Sequence, residues 1–448
     1  MRMIISLHPA CPPFRVHRSV STMGMQLRGG IGRSGQQGVV VESLSSGPSQ
    51  EGSEYTRSRV VALLHSHGVS SRAAIARSLD LTPAAVTKVV SRLLNEGVVE
   101  ETGGIEGRGG RRSIGVRIDG TRFHVIGVKF ARSLVRIGVF DLDGRPLSME
   151  DLPTVTEDTI AETISSIRRR IHALLRADDS IRAVGMAVPG PYLREVGRTA
   201  VVSSMQGWRS VNFLHEFSGR FPVQVFVEQD ARAGVLAHHL FDPESQTPDL
   251  AYYQLGEGVG LGVLDADRLI NGQQGAATEI GHVSVDVNGR PCECGNVGCL
   301  EQYCSAVAIH REVVERGMVP GARDMSHAQA CEAVFESARS GEADAVELVR
   351  RIGRYVGYGC VTIINSYNPR RIVIGDIVAG GGEILLDSVR DVVESRAIPE
   401  VRDETEIVLS TMSPDAAVTG AAAVAIQHLI DRPSLLVGSG KATEHPVA

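Results

Sequence analysis

The stretch that decides the fold reads GAATEIGHVSVDVNGRPCECGNVGCLE and runs from Gly275 to Glu301. It contains one histidine and three cysteines, namely His282, Cys292, Cys294 and Cys299. One nitrogen and three sulfur ligands form the tetrahedral set of a structural zinc site. Because four protein ligands leave no open position for water, we predict a zinc ion that ties the loop to the strand bearing His282 and takes no part in chemistry.

The remaining cysteines carry no such pattern. Cys304 lies outside the glycine-framed loop and is expected to pack in the interior, and Cys11, Cys331 and Cys360 are isolated. Prolines and arginines interrupt a short apolar run near the N-terminus, so there is no signal-peptide core. No stretch is long and apolar enough to cross a membrane. Clustered thiols without a secretion signal favour a metal site in a reduced cytoplasm over a disulfide framework. Buried free cysteines beside an unrelated histidine are the alternative.

Outward from this loop, the residues from Phe123 onward alternate between apolar strand-like runs and amphipathic helices. This pattern is typical of an α/β domain with a largely parallel core. The first two runs, His124–Val128 and Val135–Phe140, flank a short turn and are predicted to form an antiparallel hairpin. The 448 residues are too many for one core, and we predict four segments. These are a disordered extension at 1–53, a small helical domain at 54–118, the α/β domain at 119–432 and a disordered tail at 433–448.

Three short helices with clear breaks are predicted in the segment at 54–118. The first stops at Gly68, Ser71 caps the second, and Thr82-Pro83 starts the third with an N-cap followed by proline. This arrangement is typical of a helix-turn-helix, whose third helix lies in the major groove of DNA. A first wing strand should follow at 98–101 and turn at Gly103-Gly104.

The side chains expected to face DNA are small, hydroxylated or basic. Such side chains approach closely or reach phosphates, and arginines in a glycine frame suit insertion into the minor groove. Between Glu54 and Arg117 there are ten Lys or Arg against six Asp or Glu, although the whole chain has a net charge of −6. The candidate DNA-binding residues are Thr82, Thr87, Lys88, Ser91 and Arg92 on the third helix and Arg108, Arg111 and Arg112 in the wing. A protein–protein module with a solvated Gly/Arg linker is the alternative.

The segment from Gly275 to His282, followed by the CxCGxxGCLE run, resembles the signature of the ROK family of repressors, open reading frames and sugar kinases. The helix-turn-helix ahead of it resembles the repressor branch, and the similarity spans about Tyr55 to Leu429. The resemblance implies an α/β, actin/hexokinase-like (ribonuclease H-like) fold of two lobes, with the zinc site in the second lobe. An α+β winged helix-turn-helix would precede it, and the C-terminal helix is expected to return to the first lobe.

The same resemblance implies a sugar in the cleft between the lobes. In the family an Asn-Asp pair binds sugar hydroxyls, the Asp serves kinases as general base, and the zinc-ligating His also binds the sugar. Here Gln229 replaces the Asn and Arg232 replaces a small polar residue, which leaves the identity of the sugar open. Carboxylates suit a polyol because they accept the hydrogen bonds that hydroxyls donate. The candidate sugar-binding residues are Gly190, Gln229, Asp230, Glu279, His282 and Glu301. For Asp230, a helix N-cap at a strand end is the alternative.

Three departures from the family's kinases concern the nucleotide. Those kinases open with an Asp-x-Gly-Gly-Thr-Lys turn, whereas the aligned stretch here begins at Lys129 and reads KFARSL. Glu257 stands in the second glycine loop where Thr is usual, and Gly375-Asp376 stands where a Gly-Gly pair is expected. Added side chains obstruct the approach of phosphate to the backbone, and carboxylates repel it. We therefore predict that the protein is not an enzyme; Asp230 would be catalytic only in a kinase.

The sequence thus predicts a cytoplasmic DNA-binding transcriptional regulator, a repressor of carbohydrate-metabolism genes, with zinc as a structural cofactor. Its predicted partners are double-stranded operator DNA and a sugar or sugar-phosphate effector, with no membrane partner. Because helix-turn-helix dimers read palindromic half-sites, a homodimer or homotetramer is expected. One alternative is an active sugar kinase of the family with a fused DNA-binding domain. Another is a regulator that has lost its ligand and responds to a partner protein.

Overall fold

The structure, a computed structural model, describes residues 48–106, 112–131, 134–200, 206–412 and 416–437. The predicted disordered extension and tail lie mostly outside these ranges. Their inner edges differ from the prediction, because residues 48–53 begin the first helix and Pro433–Leu435 forms a 3₁₀ turn. The Ser434 N–H donates to Glu54 (2.9 Å) and Leu436 is buried, which holds this turn in place. No helix among the described residues is long and apolar enough to span a membrane.

Three helices and a three-stranded sheet form the N-terminal part of the described chain, called the head below. Its elements are α1 (Pro48–His67), β1 (Ser70–Ser71), α2 (Arg72–Ser78), α3 (Pro83–Asn95), β2 (Val99–Glu106) and β3 (Arg112–Ile118). The caps lie where the sequence predicts them: Ser71 Oγ accepts from the Ala74 N–H (3.1 Å) and Thr82 Oγ1 accepts from the Ala85 N–H (3.2 Å). These side chains satisfy backbone donors that the first turn of each helix leaves unpaired.

The wing of the head differs from the prediction, because its turn is not at Gly103-Gly104. β2 continues through both glycines, with a register shift after Glu101 and renewed pairing of Ile105 with Ser113. Gly103 has a φ of +85°, a conformation that glycine adopts without steric cost. Pairing resumes at Gly104 with Ile114, so Thr102 and Gly103 together oppose Gly115 and form a bulge that bends the strand. A bulge and a turn both favour glycine, so the sequence pattern alone fits either.

The first lobe begins with an antiparallel meander and continues with parallel strands. Its elements are β4 (His124–Phe130), β5 (Val135–Asp141), β6 (Pro146–Asp151), α4 (Ile160–Ala177), β7 (Ile181–Val188), β8 (Tyr192–Leu193), β9 (Arg198–Thr199), α5 (Phe213–Phe217) and β10 (Gln224–Gln229). The long strands have the order β10-β7-β4-β5-β6. β4 pairs antiparallel with β5 and parallel with β7, which confirms the predicted hairpin.

The second lobe repeats this topology. The elements that follow β10 are α6 (Asp230–Phe241), β11 (Leu250–Leu255), β12 (Val259–Asp265), β13 (Arg268–Leu269), α7 (Glu301–Cys304), α8 (Ala306–Glu315), α9 (His327–Arg339), α10 (Ala343–Tyr367), β14 (Arg371–Gly375), α11 (Gly382–Arg396), α12 (Pro399–Arg402), β15 (Glu406–Leu409) and α13 (Ala416–Asp431). The sheet order is β13-β12-β11-β14-β15, again a meander followed by parallel strands. Two lobes of the same topology confirm the predicted actin/hexokinase-like fold.

Each lobe places its last helix on the sheet of the other lobe. α6 follows the first lobe and packs on β11 and β12, whereas α13 follows the second lobe and packs on β4 and β7. Glycines make this close approach feasible. A Cβ added at Gly185 would overlap the carbonyl oxygen of Ala421, and one added at Gly262 would overlap that of Ala231. The return of the C-terminal helix to the first lobe confirms the prediction.

The head shares a hydrophobic core with the first lobe. Val61 and Leu64 of α1 lie in the same buried cluster as Phe140 of β5 and Leu429 of α13. In addition, His65 Nε2 lies 2.9 Å from a backbone carbonyl oxygen at the end of β5. Packing therefore continues from α1 into α13, and the head is held to the first lobe by more than its connecting chain.

Candidate functional site

The predicted metal ligands converge just before α7. Their ligand atoms all lie within 4.8 Å of one another. The Cys294 and Cys299 sulfurs are 3.6 Å apart, and Cys292 Sγ lies 3.7 Å from His282 Nδ1. In a tetrahedral zinc site, bonds of about 2.1–2.3 Å place neighbouring ligand atoms about 3.5–3.8 Å apart. The four side chains therefore fit a tetrahedral metal ion.

His282 ends a 3₁₀ turn (Ile280–His282) and does not lie on a strand, contrary to the prediction. Backbone pairing within the loop holds the other ligands. Isolated β-bridges pair Ser284 with Cys299 and Pro291 with Val297. Burial raises the pKa of the Cys292 and Cys299 thiols, so a bound cation is the charge that would keep them as thiolates. As predicted, Cys304 is fully buried apart from this cluster.

Polar residues gather where the parallel strands of the first lobe end. β10 ends at Gln229, whose Oε1 accepts from the Arg232 N–H (2.9 Å) and so caps α6. Asp230 is the first residue of α6, and its Oδ1 accepts from the Ala231 N–H (2.9 Å). The N-cap role considered for Asp230 thus falls to Gln229. The loop after β7 brings Gly190 against Gln229, since a Cβ added at Gly190 would lie 2.6 Å from Gln229 Cγ.

Two arginines bind Glu228, the residue before this pair. The fully buried Arg232 donates from Nε to Glu228 Oε1 (2.8 Å), and Arg194 donates from Nη2 to Oε2. Arg194 also donates to Asn271 Oδ1 (2.9 Å), which belongs to the second lobe. Arg232 continues to the carbonyl oxygen of Ala277 (3.3 Å). Both arginines therefore connect the first lobe to the segment that precedes the metal ligands.

Carboxylates of the second lobe approach the same region. Burial raises the pKa of Glu279 to about 7, with Arg232 opposing the shift and the charges of Asp230 and Glu301 adding to it. His282 Nδ1 lies 3.7 Å from Glu301 Oε1. The Glu279 carboxyl is consequently part protonated near neutral pH and can donate as well as accept a hydrogen bond. The charges of Asp230 from the first lobe and of Glu279 and Glu301 from the second therefore lie close enough to interact.

Three residues that the sequence did not predict contact the predicted site residues or one another, namely Lys129, Arg194 and Glu228. Lys129 Nζ is 2.9 Å from Asp230 Oδ2, and the two side chains are 11% and 21% exposed. Lys129 is the penultimate residue of β4, Asp230 follows β10, and β7 lies between these two strands in the sheet. The sequence feature that could have indicated Lys129 is its position as the first residue of the KFARSL stretch, which replaces the phosphate-binding turn of the kinases.

The corresponding place in the second lobe is acidic. Gln254, the penultimate residue of β11, donates from Nε2 to Asp376 Oδ2 (2.8 Å). Asp376 has a φ of +73°, and a Cβ added at Gly256 would contact its carboxylate. Glu257 lies in the same β11–β12 turn. Two carboxylates thus border the loops in which the sequence predicts no room for ATP phosphates.

α3 presents the predicted DNA-contacting residues to solvent. Its exposed residues and cap include Thr82, Thr87, Lys88, Ser91 and Arg92. Arg92 donates to Glu96 (2.9 Å), the residue that caps the C-terminal end of α3. The predicted wing residues Arg108 and Arg111 lie outside the described residues. Arg112 begins β3, and its side chain is outside them as well.

Comparison with known proteins now assigns the larger domain. Residues 125–428 match the ROK family. The chain belongs to the ROK family. Residues 54–100 match a second family, described as winged helix-turn-helix DNA-binding. The two matches therefore coincide with the two lobes and with the head, respectively.

Individual relatives of this ROK protein match both parts. The chain is 29% identical over 394 residues to the DNA-binding transcriptional dual regulator NagC of Escherichia coli (strain K12), covering 83% of this chain and 94% of the relative. It is 25% identical over 367 residues to the xylose repressor of Bacillus spizizenii (strain ATCC 23059 / NRRL B-14472 / W23), covering 81% and 92%. A crystal structure of a ROK family transcriptional regulator, homolog of the E. coli MLC protein, matches with a TM-score of 0.73 and 25% identity over 86% of this chain and 99% of that one.

Proposed function

We propose that this ROK protein is a DNA-binding transcriptional regulator that represses carbohydrate-metabolism genes and senses a sugar or sugar phosphate between its lobes. The observation that carries the proposal is the shared core of α1, the first lobe and α13. It joins a head with an exposed α3 to the lobes that hold the polar cleft residues. The regulators NagC and the xylose repressor, which match over the head as well as the ROK domain, support it.

The proposed response depends on movement between the lobes. α13 packs on the first lobe and on α6, and it shares a buried cluster with Val373 of β14 in the second lobe. A ligand held by Asp230 from one side and Glu279 from the other would favour one separation of the lobes. Because α13 also contacts α1, that preference would change the position of the head. In a homodimer or homotetramer, it would alter the spacing of two heads on palindromic DNA.

The proposed ligand set consists of hydrogen-bonding groups suited to a polyol. Carboxylates accept from sugar hydroxyls, and the part-protonated Glu279 can also donate. The proposed effector-binding residues are Gly190, Gln229, Asp230, Glu279, His282 and Glu301. The proposed metal is zinc, held by His282 and the three clustered cysteines, where it would supply a structural tie and no chemistry.

The experiment that tests the proposal is operator binding under a sugar panel. The full chain is titrated onto DNA from upstream of its own gene, and bound DNA is then challenged with neutral and phosphorylated sugars. We expect specific binding that one sugar class weakens. The double variant K88A/R92A should lose affinity, whereas R169A, at an exposed position of α4, should not. Absence of specific DNA binding would contradict the proposal.

The wing makes a separate contribution that the same assay resolves. Replacing Arg111 and Arg112 by Ala should weaken operator binding and reduce the slope of log affinity against log salt by about one per lost phosphate contact. An unchanged slope would show that these arginines do not contact the DNA backbone.

An active sugar kinase is the second candidate, favoured by the kinase-like fold and by Asp230. The carboxylates of Glu257 and Asp376 oppose it, because they border the region where phosphates would lie. A coupled assay for sugar-dependent ATP hydrolysis distinguishes the two, and robust turnover would overturn the assignment as a non-enzyme. If no sugar shifts the melting temperature, a regulator that responds to a partner protein is favoured instead.

A further inference from the structure

The C-terminal end of α3 is tied to α1 by a buried arginine. The Arg57 side chain is 3% exposed, and its guanidinium donates from Nη2 to Glu96 Oε2 and from Nη1 to Glu54 Oε2 (3.3 Å). Glu96 caps α3 and lies 39 positions from Arg57 in the chain. One guanidinium therefore binds a carboxylate of its own helix and a carboxylate at the end of the helix proposed to enter DNA.

Stability alone does not explain this buried network. Removing charges from water costs free energy that their attraction only about offsets, and apolar residues of similar volume often stabilise as well or better. Arg57 Nε is buried without a hydrogen-bond partner among the residues that the structure describes, which adds to that cost. A methionine at position 57 would join the buried Val60 and Val61, one turn further along α1, at no such cost. A buried arginine here indicates a need for a contact of defined direction.

The guanidinium supplies a direction that apolar packing lacks. Its N–H groups lie in one plane at fixed angles, so binding two carboxylates fixes the distance and rotation between the elements that carry them. The buried face of α3, formed by Val86, Val90 and Leu93, packs through contacts that have no preferred direction. Without Arg57, this face could rotate against α1 with little loss of burial, and the exposed face of α3 would turn with it.

The same network continues to the segment that follows α13. Glu54 accepts from Arg57 through Oε2 and from the Ser434 N–H through Oε1 (2.9 Å). Two residues further on, the carbonyl oxygen of Leu436 accepts from Arg182 Nε of β7 (3.1 Å), and the Leu436 side chain is buried in the core shared with the head. These contacts connect the end of α3, through α1, to a turn that the first lobe holds in place.

Glu96 also contacts a candidate DNA-binding residue. Its Oε1 accepts from Arg92 Nε (2.9 Å), while its Oε2 accepts from Arg57. The Arg92 side chain is 57% exposed, so a DNA phosphate can compete with Glu96 for it. Because Arg57 balances the charge of Glu96, movement of Arg92 to a phosphate would leave no unpaired carboxylate behind.

We infer that Arg57 is a positioning residue for DNA recognition, which fixes the orientation of α3 through Glu96 and ties it to the turn after α13 through Glu54. The inference rests on the proposed function, in which α3 lies in the major groove. Base contacts carry specificity, whereas phosphate contacts carry affinity for any sequence. Because Arg57 is buried, it supplies no phosphate contact of its own. Its loss should therefore weaken binding of the operator more than binding of unrelated DNA.

DNA titration with the full chain tests this inference. The probes are DNA from upstream of its own gene and a duplex of equal length and unrelated sequence, at matched salt concentrations. The variants are R57M, R57K and E96Q, and urea unfolding measures the stability of each.

The matched control is R371M, in the second lobe. The Arg371 side chain is 11% exposed and donates to the carboxylates of Glu244 and Glu406. Its Nε is also buried without a partner in the described ranges. R371M therefore removes a guanidinium of similar burial and pairing that has no contact with the head.

We expect R57M to reduce the ratio of operator affinity to unrelated-DNA affinity by about tenfold or more, the scale of one lost base contact. R57K keeps the charge without the planar fork and should lie between R57M and the wild type. E96Q should lower the ratio by a smaller factor, because an amide keeps the shape but pairs more weakly. R371M should leave the ratio unchanged even where it lowers stability. If R57M does not fold, R57K and E96Q provide the test.

Equal loss of affinity for both duplexes in R57M would indicate a merely structural role and would overturn the inference. A ratio that stays at the wild-type value in R57M, or that falls as far in R371M, would overturn it as well. In each of these cases the wild type still prefers its operator, so the proposed function stands. A wild type without any preference for the operator would overturn the proposed function, and the inference with it.

Discussion

The two lobes have one topology, but different contacts lie where their first strands end. In both lobes the penultimate residue of the first strand contacts an aspartate, but this aspartate follows the outer parallel strand β10 in the first lobe and the neighbouring strand β14 in the second. In the first lobe that contact is Lys129 with Asp230 (2.9 Å), and in the second it is Gln254 with Asp376 (2.8 Å). The first is an ion pair, whereas the second joins an uncharged amide to a carboxylate. A duplicated fold can therefore carry different charges in its two lobes through changes of a few side chains.

The lobes also differ in what holds them together. The second lobe contains the loop whose histidine and cysteines could hold a metal ion. The first lobe is instead stabilised by packing against α13 and against α1 of the head. Damage to the metal ligands should therefore act first on the second lobe. Damage to the α13 contact should act on the first lobe and on DNA binding. The predictions below separate these effects.

The largest effect is expected from loss of the metal. C294S removes one of four ligands, and we expect it to release zinc and lower the free energy of unfolding by about 4 kcal/mol or more. The matched control is C331A, a buried cysteine outside the cluster, which should keep its metal. Metal content by mass spectrometry and thermal unfolding check both. Unchanged metal content and melting temperature in C294S would refute the zinc assignment.

A smaller effect is expected where α13 meets the sheet of the first lobe. A Cβ at Gly185 would overlap the carbonyl oxygen of Ala421, so G185A must displace the helix. Overpacking of this kind costs about 1–3 kcal/mol. Because α13 also contacts α1, we expect G185A to weaken operator binding as well. Urea unfolding and DNA titration measure the two effects.

The control for that prediction lies in the other lobe. A Cβ at Gly380 would lie 3.2 Å from the Phe335 ring and 3.6 Å from Glu332 Oε2, and both side chains can adjust. G380A should therefore cost little stability and leave DNA binding unchanged. If G185A and G380A behave alike, the contact of α13 with the sheet does not couple the first lobe to the head.

The sequence predicts features that depend on neighbouring residues, and it misses those that depend on distant ones. The metal loop, the helix caps at Ser71 and Thr82 and the first hairpin are local, because their partners lie within about 20 positions. The contact between Lys129 and Asp230 joins residues 101 positions apart, so only the folded sheet brings them together. The exchange of α6 and α13 between lobes likewise follows from tertiary packing. At Gly103 the glycine pair is a local pattern, but it fits a bulge as well as a turn.

Acid should act through the two exchanged helices. Burial lowers the pKa of His428 on α13 to about 4, with Arg432 adding to the shift, and burial lowers that of His238 on α6 to about 4, with Asp242 opposing. The unfolded chain binds these protons near pH 6.5, whereas the folded chain does not bind them until about pH 4. Stability is therefore complete above pH 6.5 and falls as pH drops toward 4, by up to about 1.4 kcal/mol per unit for each histidine.

Urea unfolding at pH 7, 6 and 5 checks this pH dependence. H428Q and H238Q should each flatten it, because a glutamine does not titrate. H67Q, at an exposed position at the end of α1, is the matched control and should leave the slope unchanged. A wild-type stability that is constant between pH 7 and 5 would contradict the assignment of neutral buried histidines.

The smallest effect, and the sharpest test of the contrast between lobes, concerns the nucleotide side. E257T/D376G removes both carboxylates that border the second-lobe loops and should strengthen binding of an ATP analogue by about tenfold, the scale of one charge-assisted contact. Sugar-dependent ATP hydrolysis should remain absent, because Lys129 still pairs with Asp230 and withholds it from acting as a general base. Calorimetry and a coupled assay measure the two quantities. Turnover in this variant would mean that the carboxylates of Glu257 and Asp376 alone prevent kinase activity. The Lys129–Asp230 ion pair would then not prevent catalysis.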